Sequence, residues 1–260
     1  MTDFTQKREL LLAAITAGKY PRHLYKYRND SIYTDSIFKD LTMWFSAPQS
    51  FNDPFDCNLS EISYHTQDEA NQFLKHILEG QTDREILLLI GTTIAEAERS
   101  LASSKEAILS KTGILCLSKK FENVLMWSHY TNSHKGLVIE LDLVHDLDFF
   151  LSPIQVRYTD AYEPTNYFKD QHSAISQIIS TKSSCWSYEE EVRIVKNNVT
   201  GSVFLNPKAI RRVIFGCRSD ADFISRIRGL CSVPELEHVL FSQLKSSYGK
   251  FALEISDLAT

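Results

Sequence analysis

The chain lacks the paired cysteines that staple small secreted domains and the clustered thiolates that hold zinc. Its five cysteines, Cys57, Cys116, Cys185, Cys217 and Cys231, are odd in number, scattered, and form no C-x-x-C pair, which speaks against a disulfide framework and a thiolate metal site. Reduced, mostly buried thiols in a cytoplasmic protein are the expected state, with no metal. There is no G-x-G-x-x-G and no P-loop, which removes the usual dinucleotide and nucleoside-triphosphate folds. Glycine and proline are sparse, nine and seven residues out of 260, and serve as turn punctuation rather than a linker. With no repeat and no low-complexity stretch, a single domain over 1–260 is expected, carrying a helical insertion at about 67–111. No apolar run approaches the ~20 residues of a spanning helix, so no membrane partner is expected. Lys7-Arg8 before Leu10–Ile15 superficially resembles a signal peptide. Asp3, Glu9 and Lys19 break that pattern and favour an amphipathic first helix. A net charge of −5 and a pI near 5.9 give no overall basic field for sequence-independent duplex binding, although a local basic groove stays open.

Hydrophobic residues make up 43% of the chain and aromatics 11%, ample for a packed core. Alternation and turn residues predict strands at Leu24–Arg28, Leu41–Ser46, Ile114–Ser118, Leu137–Leu141, Ile154–Tyr158, Glu191–Val195, Val203–Leu205, Arg212–Phe215 and Phe251–Ile255. Helices are predicted from Thr5 to Ala17 with Gly18 as the stop, at Val124–Tyr130, Asn166–Ser180 and Ala221–Leu230. Glu, Ala, Leu, Lys and Gln predominate from Gln67 to Lys111, which reads as two or three helices broken at Gly80 and Gly91. Strands cluster without βαβ alternation. The expected fold class is therefore α+β, with mixed, mainly antiparallel sheets.

Four segments could carry chemistry. In Trp186-Ser-Tyr-Glu-Glu-Glu-Val-Arg193, strand alternation places Glu189, Glu191 and Arg193 on one face, and Val192 and Ile194 on the opposite, core side. Two carboxylates on one face can hold two hydroxyls of a sugar or a metal, with Arg193 keeping one ionised. Trp186 and Tyr188 would line such a site, whereas the structural alternative is a solvated edge strand. In Met126–Gly136, His129 and His134 are five apart, not the four of a helical zinc pair. Either is an acid, a base or a phosphate donor, or a histidine satisfied in the core, with Gly136 allowing the turn into the next strand. Phe51-Asn-Asp-Pro-Phe-Asp56 is turn chemistry pinned by two phenylalanines, with Asp53 or Asp56 able to approach a ligand. Leu24-Tyr-Lys-Tyr-Arg28 puts Lys26 and Arg28 on one face, as a cationic strand end or an ordinary amphipathic strand.

Taken together and in this order, these motifs resemble a widespread, largely bacterial domain family of unknown function, from about Leu24 to Gly216. A more distant likeness is to ADP-ribosyltransferases, because Glu189-x-Glu191 enters a strand that is followed by Ile210-Arg-Arg-Val-Ile-Phe-Gly216. That resemblance implies a split sheet and NAD as co-substrate. It implies Glu191 as the catalytic carboxylate, Glu189 as the upstream acid, Arg28 or His23 as the early cation on the diphosphate, and Tyr130 or Ser128 as the middle element. His129, Tyr188, Trp186 and Arg193 would complete the nucleotide site. ADP-ribose would pass to a protein, a nucleic acid or water, in a bacterial defence or toxin setting, and an oligomer is compatible with all of this. Two other classes compete. One is a metal-dependent phosphodiesterase or nuclease built on Asp53, Asp56, Glu189 and Glu191 with His129 as base; the other is a non-catalytic sensor or interaction module.

Overall fold

A computed structural model describes residues 4–59, 66, 68–69, 94–166 and 169–258. Its helices are α1 (Phe4–Thr16), α2 (Ile32–Lys39), α3 (Ile94–Lys111), α4 (Val124–Tyr130), α5 (Gln171–Ser180) and α6 (Ala221–Leu230). Its strands are β1 (His23–Arg28), β2 (Thr42–Phe45), β3 (Gly113–Ser118), β4 (Leu137–Asp142), β5 (Ile154–Gln155), β6 (Arg157–Thr159), β7 (Thr181–Ser183), β8 (Glu191–Lys196), β9 (Gly201–Phe204), β10 (Ile210–Phe215), β11 (Leu240–Ser246) and β12 (Leu253–Asp257). The fold is α+β, as expected. Eight strands form one open sheet in the order β12-β11-β10-β4-β1-β3-β8-β5, antiparallel throughout except for the parallel β10–β11 pair.

The sheet is divided near its middle. β1 pairs with β4 along its whole length, from His23↔Asp142 to Arg28↔Leu137, yet it meets β3 at the single pair Tyr25↔Ser118. Beyond that pair the strands part, and the buried Lys26 ammonium donates to the Cys116 carbonyl at 2.9 Å. Alternation sorts the side chains between two faces. Leu24, Leu115, Leu117, Leu137, Ile139, Val192 and Ile194 join the main core on one face. Tyr27, Trp127, Val138 and Ile214 form a second cluster on the other, near a third that holds Ile114, Ile178 and Ile179.

Local chemistry accounts for the helix ends. Asn123, Asp170 and Asp220 each accept a backbone N–H from the first turn of α4, α5 and α6, a cap that stabilises each start by ~1 kcal/mol. Gly18, at φ 67, follows α1 as the left-handed stop. Gly136 has a different task from the one its sequence context suggests. A Cβ there would lie 2.1 Å from the Arg28 carbonyl oxygen, so close approach of β1 demands the glycine. The turn belongs to Asn132, Ser133 and His134, three successive left-handed residues with φ of 51, 58 and 70.

The structure departs from the sequence reading at several elements. Ile154–Tyr158 is not one strand: β5 adds to the main sheet at β8, while β6 pairs with β7 in a separate ribbon. α5 starts at Gln171, later than Asn166, because Asp170 caps it. α2 follows the turn at Asn29-Asp30, where Ser31 supplies the cap. The helical insertion expected at 67–111 is described only at residues 68–69 and 94–111. Gly80 and Gly91 lie outside the described residues. Phe51 packs against the third cluster, but Phe55 is 72% exposed and pins nothing.

Candidate functional site

The acidic segment is not a solvated edge strand. β8 runs between β3 and β5 with Glu191, Val192, Arg193 and Ile194 all buried, so both of its faces are interior. Glu189 does not belong to the strand either. It ends a 3-10 turn, Ser184–Glu189, and Glu190 in a left-handed conformation (φ 43) swings the chain into β8. The turn is tied down from three sides. The Ser118 hydroxyl donates to the Glu189 carbonyl at 2.7 Å, the Lys119 N–H donates to the Glu190 carbonyl at 3.1 Å, and the Asn123 amide donates to the Tyr188 carbonyl at 3.0 Å.

This kink brings Glu189 and Glu191 to one ammonium. Lys182 Nζ lies 2.5 Å from Glu189 Oε2, 3.2 Å from Glu191 Oε2 and 3.3 Å from Asp56 Oδ2. Arg193, wholly buried, holds the far side. Its Nε donates to Glu191 Oε1 at 2.8 Å, its Nη2 spans the two oxygens of Asp56 at 2.8 and 2.7 Å, and its Nη1 donates to the Ile179 carbonyl at 2.8 Å. The Phe51 ring lies 5.5 Å from the guanidinium carbon. Three carboxylates thus face two cations in a nearly dry site. Charges buried to this extent survive only with such close pairing.

The two glutamates titrate in opposite directions. Burial by itself would raise Glu191, but the charge and hydrogen bonds of Arg193, followed by the charge of Lys182, outweigh it and hold that carboxyl at about 2. Glu189 is raised, because burial exceeds what Lys182 and the Tyr130 hydroxyl, which donates to Glu189 Oε1, give back. Burial works against the charge of Lys182 too, yet Glu191, Glu189 and Asp56 together raise its affinity for the proton. Paired acids whose proton affinities are pushed apart divide into a fixed anion and a proton carrier. Here Glu191 is held as the anion, and Glu189 keeps its proton more readily.

A cavity of about 100 Å³ opens at the split between β1 and β3, lined by Glu189, Glu191, Asp56 and Lys182 with Tyr25, Tyr130 and Met126 among its walls. Three further rings lie beside the Lys182–Glu189 turn. The His129 ring and the Tyr188 hydroxyl share a hydrogen bond at 2.9 Å, and Trp186 stacks at a tilt 6.0 Å from Tyr188 while lying 5.1 Å from Lys182 Nζ. The remaining residues singled out by sequence lie elsewhere. Ser128 turns back to the Val124 carbonyl and to His134 Nε2, 3.1 Å away, and His134 stacks on the buried Trp127. Asp53 closes its own turn by accepting the Phe55 N–H at 3.0 Å. Arg28 lines a separate hollow on the other face of the sheet, and His23 faces Glu140 and Asp142 at 3.7 Å. Arg193, expected beside a nucleotide, spends its donors on the protein. Lys182 was missed altogether. A lone lysine in Ser180-Thr-Lys-Ser-Ser carries no motif, and only the fold reveals it.

The molecule is thus an α+β protein whose open sheet splits beside a buried acid–lysine–arginine cluster. The model of one family, described as a protein of unknown function (DUF2971), matches residues 126–194. That span reaches from Met126 in α4 to Ile194 in β8, and so includes Tyr130, Lys182, Glu189, Glu191 and Arg193 but neither Asp56 nor Arg28. The match supports relating the chain to a domain family of unknown function. No curated protein and no solved structure matches. Among the described residues, no helix is long and apolar enough to cross a membrane.

Proposed function

We propose that the cavity at the sheet split receives the nicotinamide–ribose end of NAD and that the protein transfers ADP-ribose to an acceptor or to water. The observation that carries this reading is the pair Glu189 and Glu191 over Lys182, held apart in proton affinity at an aromatic-lined cavity. Breaking the nicotinamide–ribose bond sends its electron pair to nicotinamide and leaves an oxocarbenium-like sugar, the kind of charge that carboxylates stabilise. Glu191 accepts three charge-assisted hydrogen bonds from Arg193 and Lys182, whereas Glu189 accepts one from Lys182 and one from the Tyr130 hydroxyl and keeps free lone pairs. The residue facing the sugar is therefore Glu189, oriented by Tyr130 and Lys182, and the role first given to Glu191 moves to it. Glu189 takes the acceptor's proton as the new C–O bond forms. Tyr188 and Trp186 flank the nicotinamide.

The fit is partial. The cavity is well below the ~300–1,000 Å³ of ordinary small-molecule sites, so it encloses a ring or a sugar and leaves the rest of NAD outside. Arg28, assigned to the diphosphate on resemblance, lines the opposite face and is not part of this reading. A divalent-metal phosphodiesterase fits less well, because Lys182 already occupies the position between the three carboxylates that a cation would take. The reaction is assigned to the cytoplasm, in keeping with five free cysteines.

The test is to incubate the protein with NAD, separate free nicotinamide by chromatography and weigh the intact protein. Nicotinamide release that disappears in Glu189→Gln is expected. Thermal stabilisation by NAD without any release would point to a non-catalytic binding module, and no response at millimolar NAD would sink the proposal.

A further inference from the structure

Across the sheet from the acid cluster lies a larger hollow of about 570 Å³, bordered by β1, α2, β2 and β3. Its floor is apolar, from Ile37, Met43 and Leu115. Its rim carries two large aromatics with open surface, Tyr33 and Trp44, at 70% and 62% exposure. Hydroxyls from Ser36, Thr42 and Ser202 and one carboxylate, Asp40, complete the wall.

The wall also holds Arg28. Its Nε is buried without any hydrogen-bond partner, and no carboxylate pairs with its guanidinium among the described residues. Such an arrangement is costly. A buried donor left unsatisfied loses its hydration for nothing, whereas the wholly buried Arg193 spends its donors on Glu191 and Asp56. Lys26, on the same face of β1, also lines the hollow, but its amine is held by the Cys116 carbonyl at 2.9 Å. An unpartnered guanidinium beside two open flat rings matches a ligand that joins an anionic head to a planar body. The volume lies within the range of small-molecule sites.

We infer that this hollow is a binding site, distinct from the acid cluster, for a ring-bearing organic phosphate the size of a nucleoside monophosphate. Arg28 takes the phosphate through paired N–H donors. Trp44 and Tyr33 stack on the ring, and the hydroxyls serve the sugar. Lys26 borders both this hollow and the cavity of the acid cluster.

Calorimetric titration with adenosine monophosphate tests the inference, with inorganic phosphate and adenosine as separate arms. The monophosphate should bind saturably and more tightly than either fragment. Arg28→Gln should weaken it tenfold or more, and Trp44→Ala, a change at an exposed position that spares the core, should weaken it severalfold. Glu189→Gln should leave it unchanged, which separates this site from the proposed NAD reaction: failure of one leaves the other standing. The inference is overturned by the absence of saturable binding up to about 10 mM, the weak end of specific recognition. Equal affinity for inorganic phosphate alone, or unaltered binding in both a folded Arg28→Gln and Trp44→Ala, overturns it as well.

Discussion

Lys182 and Glu189, seven positions apart in sequence, meet at 2.5 Å, and the same ammonium reaches Glu191 at 3.2 Å. One lysine therefore couples two carboxylates that do different work. Glu191 is enclosed by Arg193 and belongs to the architecture, while Glu189, hydrogen-bonded to Tyr130, borders the cavity and holds its proton more tightly than usual.

The two glutamates should respond to amidation in opposite ways. Glu191→Gln removes the anion that balances Arg193 and Lys182, and breaking a buried pair costs ~3–5 kcal/mol. A fall in melting temperature on the order of 10 °C follows for a chain of this size. Glu189→Gln should melt close to wild type and lose NAD turnover about 100-fold, ~3 kcal/mol of barrier. Differential scanning calorimetry beside a nicotinamide assay checks both. A thermally indifferent Glu191→Gln would mean that the cluster is not structural.

Acid should unfold the protein through Glu191. Its pKa in the fold is lowered from the ordinary 4.5 to about 2, because the charge and hydrogen bonds of Arg193 outweigh its burial. Its contribution is therefore complete above pH 4.5 and is lost as pH falls from 4.5 towards 2. The contribution is about 3 kcal/mol by linkage. Glu189, raised in the fold, acts with the opposite sign and softens the loss. Urea midpoints measured from neutral pH downward should fall steeply only in that acid window, and the slope should flatten in Glu191→Gln.

Tyr130→Phe isolates the proton carrier. The Tyr130 hydrogen bond lowers the affinity of Glu189 for its proton, so removing it raises that affinity further. If the ionised carboxylate is the working form, the acidic limb of the rate profile should move to higher pH, with turnover down about 10-fold near neutrality. An unmoved limb with normal turnover would take Tyr130 out of the site.

Two core positions should be intolerant for separate reasons. Val192→Asp places an unpaired charge at a fully buried position of β8 and should cost about 4 kcal/mol or more. Gly136→Ala drives a Cβ to 2.1 Å from the Arg28 carbonyl oxygen, which the backbone can relieve only by parting the end of β1 from the start of β4. A loss of about 3 kcal/mol is expected there. Chemical denaturation of the two variants provides the measurement.

Much of the fold was legible because short β-branched strands and capped helices are local signals. Asn123 before Val124–Tyr130 and Asp220 before Ala221–Leu230 mark their helices within the sequence itself. β11 was not legible, since Leu-Phe-Ser-Gln-Leu-Lys-Ser gives only weak alternation and gains its place from parallel pairing with β10. The site was half legible. Glu189, Glu191 and Tyr130 sit in recognisable motifs, but the left-handed Glu190 is not encoded by a glycine, so the break between turn and strand left no trace. Asp56 joins the cluster through Arg193, 137 residues away, and Lys182 through Glu189, Glu191 and Asp56, none of which a local pattern reports.

The single pair joining β1 to β3 has a consequence for how the chain must assemble. The half of the sheet built from β3, β8 and β5 is interleaved in sequence with the half built from β1, β4, β10, β11 and β12. The polypeptide crosses from one half to the other and back repeatedly, so neither half is a continuous stretch that could fold first by itself. Contacts between residues far apart in sequence dominate, and topologies of that kind fold slowly and with high cooperativity. The seam that looks like a weak line in the finished sheet is, along the chain, sewn through several times. A nick in any one loop would leave the two halves threaded together.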